Sequence, residues 1–342
     1  MDNNHSNNNI QYESLSTDTK DFLRKPGIMQ ASILFSINMI LLYFIGTRAQ
    51  IKDFYKGTLF LEYVLMFLPA VLFIFIFKYD VKKTLRLNKL KLSNVALIIL
   101  LIICAIVIVS GINYVNLAII KYIFGDVEIS ELPPTENLLK LIFGLVVIAL
   151  TPAICEEVMY RGVIMSGFEE LGKRAAIVIS ALLFAFMHMD FQKIIGIFLL
   201  GLLIGYIVYK TDSIFAGILA HFTNNAVYII LSYAANKFSY SVKQPEGVIR
   251  ETPDFDFSNL TEIPVENLIF VIITILLIYL FFVVSFAGLL SAFRYNNSDR
   301  TVSKSINPPK PRTAVIHSLW LIPGLAIVFC MYFKLALFLM GT

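Results

Sequence analysis

Nine apolar runs dominate this chain, and each is close to the roughly 20 residues that an α-helix needs to cross a bilayer. They cover 28–47, 58–77, 93–114, 137–154, 175–189, 193–209, 213–235, 265–291 and 314–340. The middle three are short or interrupted, and eight crossings is the alternative count if the first or last pair is miscounted. Of 342 residues, 58% are apolar and 15% are charged, against roughly 25% charged in an ordinary soluble domain. A soluble fold of this size cannot hide that much apolar surface. A soluble enzyme, a disordered chain and a disulfide scaffold are therefore excluded. The predicted fold class is all-α, a polytopic transmembrane helical bundle of about 8–9 membrane-spanning helices.

The polar segments divide the chain. Residues 1–26 are rich in Asn and Ser and lack the basic and short apolar regions of a signal peptide, so they read as a disordered cytosolic tail. His5 in that tail is given no role. Helices at 27–135 follow, then a central segment at 136–235, an extracytoplasmic loop at 236–264, and C-terminal helices at 265–342. The stretch 115–125 reads as an interfacial helix ending at Gly125.

Loop charge orients the bundle. The loops 78–91 and 294–312 are basic, whereas 126–136 and 236–264 are acidic. Nine spans with a cytoplasmic N-terminus put both basic loops inside and both acidic loops outside. One loop, 48–57, opposes this scheme with Arg48, Lys52 and Lys56. The net charge of +4 comes with no basic, aromatic-interleaved block, so nucleic acid is not a predicted partner. Cys104, Cys155 and Cys330 sit in apolar stretches without metal spacing and read as small packing residues.

Charge inside lipid is costly, so the few intramembrane polar groups carry the information. Three clusters stand out: Glu156-Glu157-Val-Met-Tyr-Arg161, Phe184-Ala-Phe-Met-His188 and His221-Phe-Thr-Asn-Asn225. In each, the end pair is four residues apart and shares a helix face. Glu157 and Arg161 can pair along the helix, while Glu156 projects about 100° away. Glu156 lies 15 residues before Leu171, and His188 lies 14 after Arg174. At 1.5 Å per residue both sit about 22 Å from a shared basic turn, and His221 about 15 Å from the next turn on that side. Two hairpins thus bring Glu156, His188, His221 and Asn225 to comparable depth. Pro152 can bend the helix just before Glu156.

A carboxylate and an imidazole can hold and deprotonate a water. A second imidazole and an amide can stabilise an oxyanion. That is equipment for peptide hydrolysis without a covalent intermediate. Singly, each cluster also has an ordinary structural reading, as a helical ion pair or an interhelical hydrogen bond. Phe184 reads as packing against the site, and Asp190 is a secondary candidate. His317 reads as an interfacial residue, and Glu169 and Glu170 as solvated.

At these residues the chain resembles the CAAX prenyl protease and bacteriocin-processing family (CPBP, or Abi) of intramembrane proteases. That family carries a Glu-Glu-x-x-x-Arg, a Phe-x-x-x-His and a His-x-x-x-Asn motif in this order. Here they stand intact as EEVMYR at 156–161, FAFMH at 184–188 and HFTNN at 221–225, which makes 136–235 the catalytic core. The resemblance implies a helical membrane endopeptidase whose cavity opens toward the cytosol. It implies that Glu156 and His188 activate the water. His221 and Asn225 would form the oxyanion side, supported by Glu157, Arg161 and Phe184. No cofactor is expected; the alternative is a zinc ion on Glu156, His188 and His221. Expected partners are membrane lipid and a peptide or lipidated membrane-protein substrate, in a multi-pass cell-membrane setting. The competing functions are a non-catalytic bacteriocin self-immunity protein and a transporter. Against the transporter, no inverted repeat is visible.

Overall fold

The computed structural model describes residues 25–128, 135, 137–241, 264–298 and 309–341. Most of the predicted tail and of the loop 236–264 lies outside them, as do parts of the loops 126–136 and 294–312. Among the described residues the protein is helical, with no strand. Its main elements are α1 (Ile28–Lys52), α2 (Phe54–Ile76), α3 (Leu92–Phe124) and α4 (Leu138–Leu171). These are followed by α5 (Lys173–Met187), α6 (Ile194–Thr211), α7 (Ile214–Ser241), α8 (Val265–Asn296) and α9 (Pro311–Leu339). Eight of these helices are long and apolar enough to cross a membrane. The ninth predicted span is α5, which has only 15 residues. This is a multi-pass membrane protein.

The predicted interfacial helix at 115–125 is a correction. α3 runs unbroken for 33 residues to Phe124, and Gly125 caps it in the left-handed region at φ 91°. Asn116, inside this stretch, donates to the Gln192 carbonyl at 2.7 Å, so the helix continues without an orphaned amide. Cys104 and Cys155 are buried as expected, but Cys330 faces outward. α8 buries little besides Phe293. Its wide apolar surface is what lipid covers in place of protein.

The buried helices approach closely through small residues, as is usual where lipid supplies no hydrophobic drive. A Cβ on Gly167 of α4 would stand 2.6 Å from the Ala31 side chain of α1, and one on Gly201 of α6 would meet Ala181 of α5. π-helical stretches interrupt α1, α2 and α4. In each, a backbone carbonyl accepts a hydrogen bond from a side chain. Thr47 serves Tyr43, Asn38 serves Leu65, Thr151 serves Val146 and Ser180 serves Tyr160. An unpaired carbonyl at membrane depth costs several kcal/mol, so such irregular turns need these donors.

One end of the bundle gathers the basic loop 78–91, the α4–α5 turn, the α6–α7 turn and the end of α8. Arg86 joins the first three. It pairs with Glu169 and, at 2.6 Å, with Asp212, and it is 2% exposed. Asn88 donates to the Asp212 carboxylate and carbonyl, and Lys25 reaches Glu169 at 3.1 Å. Asn94 and Asn297 exchange amide hydrogen bonds. Glu169 is therefore partly buried in an ion network and not simply solvated. At the opposite end, Glu128 and Asn116 bond to Gln192. α5 thus runs from one end to the other despite its length.

Removing Arg86 strands two partly exposed carboxylates, which can rehydrate. Arg86→Ala is expected to cost about 2 kcal/mol, between an exposed pair and a buried one. Thermal unfolding in detergent checks this; an unchanged midpoint would show that the strap contributes nothing.

Candidate active site

Three helices deliver the polar groups. α4 carries Glu156, Glu157 and Arg161, the C-terminus of α5 carries Phe184 and His188, and α7 carries His221 and Asn225. Glu157 lies at the centre. Its Oε1 stands 3.0 Å from Arg161 Nη1 and 3.0 Å from His221 Nδ1. Glu157 and Arg161 are 0% exposed. Arg161 Nη2 donates to the Gly201 carbonyl at 3.2 Å. The predicted helical ion pair is therefore present, and it also holds the His221 imidazole. Gly217 of α7 makes room for it: a Cβ there would stand 2.8 Å from Glu157 Oε2.

Glu156 faces the other way, as its rotation around the helix requires. Its Oε2 lies 3.8 Å from His221 Nε2. That is too long for a hydrogen bond, so the two groups face one point without bonding directly. Glu156 Oε2 has no hydrogen-bond partner.

Phe184 organises the two imidazoles. Its ring centre is 5.1 Å from that of His188 and 5.7 Å from that of His221, both edge-on. The Arg161 guanidinium carbon stands 4.3 Å over the same ring, a cation–π contact. Tyr160 packs edge-on from a third side, and its buried hydroxyl has no hydrogen-bond partner. Phe184 therefore holds two rings and a cation in place.

The imidazole tautomers follow from their partners. His188 Nδ1 lies 3.0 Å from the Phe184 carbonyl, and His221 Nδ1 contacts the Glu157 carboxylate. Both partners can only accept, so both Nδ1 atoms donate and each Nε2 is left to face the site. His188 is exposed, at the end of α5. It joins the cluster through Phe184, whereas His221 is the imidazole beside Glu156. Asp190 does not enter this group; it pairs with Lys193 at 3.0 Å and accepts from the Gln192 amide.

Asn225 is held by a proline. Pro152 has no N–H to offer the residue four positions back, so the Ile148 carbonyl is freed. Asn225 Nδ2 donates to that carbonyl at 3.3 Å, and Asn224 Nδ2 donates to Asn225 Oδ1 at 3.0 Å. These bonds set the amide's orientation and leave its second N–H available. The same device recurs at Pro69, whose freed Leu65 carbonyl accepts from Asn38 at 2.7 Å.

The segment 138–227, which holds all three clusters, matches the family model described as type II CAAX prenyl endopeptidase Rce1-like. This segment is a CAAX prenyl endopeptidase-like domain. It is accordingly a peptidase, of the intramembrane CAAX type. No significant match is found among the curated proteins or the solved structures. The domain's zinc alternative calls for Glu156, His188 and His221 around one point. Among the described residues, no three His, Cys, Asp or Glu side chains are arranged to hold a metal ion.

The motifs missed Glu62 on α2, a buried carboxyl packed against the segment that carries Glu156. Its signal was present: a single acidic residue inside the apolar run 58–77.

Two expectations follow. Glu157→Leu leaves Arg161 charged and unpaired, and should cost about 3–5 kcal/mol. Adding Arg161→Leu should recover much of that loss, read by unfolding in mixed micelles; equal costs for the single and double variants would refute the pairing. Pro152→Ala restores an N–H for the Ile148 carbonyl and competes with Asn225. Cleavage should fall about tenfold with stability unchanged or raised, since a donor displaced by a fraction of its contact distance loses transition-state binding.

Proposed function

We propose that this protein hydrolyses a peptide bond at membrane depth with a water activated by Glu156 and His188. Glu156 takes a proton from the water as its oxygen attacks the scissile carbonyl carbon. His188, with Nδ1 fixed on its own helix, presents Nε2 as an acceptor that orients the water. His221, braced by Glu157, lines the oxyanion side together with Asn225, whose free N–H donates to the developing oxyanion. Glu156 then passes its proton to the leaving nitrogen as the C–N bond breaks. No bond to the protein forms at any step, and no cofactor enters this reading.

One observation carries it: the chain Arg161–Glu157–His221–Glu156, buried on α4 and α7, ends on a carboxyl oxygen without a hydrogen-bond partner. A merely structural ion pair has no need of the last two members. The substrate class that suits such a site is a membrane-associated peptide or lipidated protein tail. The clustered basic loops support a cytoplasmic reading of that end of the bundle, and with it of the N-terminal side of α1, by the positive-inside rule.

The test compares membranes holding the wild-type chain with membranes holding Glu156→Gln, scored for peptide ends that disappear. Loss of the general base should lower cleavage about 10²- to 10⁴-fold while insertion is unchanged. Asn225→Ala should lower it about 10²-fold through the oxyanion. Retained cleavage in Glu156→Gln would sink the reading. Activity lost to a strong chelator and restored by zinc would replace it with the metal-dependent one.

A further inference from the structure

Glu62 is a buried acid that this mechanism leaves unused. It lies on α2, outside the segment matched by the family model, and is 4% exposed. Its Oε2 is buried without a hydrogen-bond partner. The π-helical stretch Leu61–Phe67 that carries it packs on Thr151–Glu157, the stretch whose Glu156 holds another buried carboxyl oxygen without a partner. Asn38 anchors the same stretch through the Leu65 carbonyl freed by Pro69, so the acid's position on α2 is fixed from both sides.

Two carboxyl groups can hydrogen-bond only if one carries a proton, because carboxylates accept and do not donate. A base that must receive a proton from water cannot be the one that already holds it. A proton that joins these two carboxyl groups therefore belongs on Glu62. A neutral acid at this depth also avoids the cost of an unpaired buried carboxylate.

We propose that Glu62 is a positioning residue for the hydrolysis: its O–H donates to Glu156 and aims the free oxygen of that base at the water. The proposal rests on the reading of Glu156 as the base. Glu62 itself exchanges nothing. The water O–H bond breaks as Glu156 gains its proton, the C–O bond forms, the C–N bond breaks, and Glu156 returns the proton to nitrogen. Glu62 keeps its own O–H throughout. The working site then needs α2 as well as the three motif-bearing helices.

Two measurements on the full-length protein in lipid nanodiscs test this. Infrared spectra read the C=O stretch of protonated carboxyl groups without requiring activity. A band of this kind should vanish in Glu62→Gln and persist, shifted, in Glu156→Gln. A spectrum unchanged by Glu62→Gln overturns the proposal. The second measurement is cleavage of a fluorogenic peptide built on a peptide end that depends on Glu156. Glu62→Leu should lower kcat about 10- to 100-fold with KM within about twofold, the size of effect expected when a reacting group loses its alignment. Glu62→Gln keeps a neutral N–H donor at the same reach and should recover kcat to within about threefold of wild type. If Glu62→Gln is as impaired as Glu62→Leu, donation to Glu156 is not the role and the proposal falls. Full kcat in Glu62→Leu with an inactive Glu156→Gln overturns the Glu62 proposal alone. An active Glu156→Gln instead removes the base assignment on which both depend.

Discussion

The Glu157–Arg161 pair sets the terms for everything around it. A guanidinium with no exposure, inside a bundle that meets lipid, is tolerable only if its charge and its donors are answered. Glu157 answers the charge, the Gly201 carbonyl takes one donor, and the Phe184 face takes the cation's flank. Those partners come from α4, α6 and α5. The remaining acceptor strength of Glu157 is directed at His221 of α7. Four helices are thus fixed relative to one another by one buried cation and its carboxylate. The glycines on these helices follow from the same requirement: a side chain at Gly217 would collide with Glu157 and Val208, and one at Gly201 would press on Ala181.

The irregular helices express a second constraint, that backbone groups at membrane depth must be paired. Pro69 and Pro152 each remove one hydrogen bond, and each freed carbonyl is met by an asparagine from another helix. This converts a defect into a directional contact. In α2 the contact fixes the stretch bearing Glu62; in α4 it fixes Asn225 on a carbonyl about two turns before Glu156. π-helical turns often coincide with functional sites. Here the reason is local: a regular helix would consume the carbonyls that orient the polar side chains.

Much of this was legible in the sequence because lipid makes polar residues conspicuous. The apolar runs located the helices, although α3 and α4 extend well past the ends of theirs, and i,i+4 spacing gave the Glu157–Arg161 pair. The equal depths of Glu156 and His188 foretold a meeting of hairpins. Other features had no local signature. The spacing of His221 and Asn225 suggested one shared target, yet His221 spends its Nδ1 on Glu157 and Asn225 spends one N–H on Ile148. Such pairings depend on the rotation of neighbouring helices, which no single-helix periodicity specifies. α3 runs past its predicted end, and its polar Asn116 is met by a partner 76 residues away. A polar residue in an apolar run signals a break only when nothing across the bundle satisfies it.

Glu62 shows the limit of reading a membrane enzyme by its motifs. The matched segment ends short of α2 on one side and of α8 on the other, yet the stretch of α2 bearing Glu62 packs on the one bearing Glu156. The three-motif segment supplies two carboxyl groups, an arginine, two imidazoles and an amide. It leaves Glu156 Oε2 without a hydrogen-bond partner. In water a solvent molecule would fill that place. For a carboxyl group as buried as that of Glu156, the proposed donor is a side chain, and the helix that carries it must be held at fixed rotation. Asn38 and the π-helical turn at Leu61–Phe67 hold it there. On that proposal, the need to orient one buried carboxyl group ties the first two helices, which carry none of the three motifs, to the fourth.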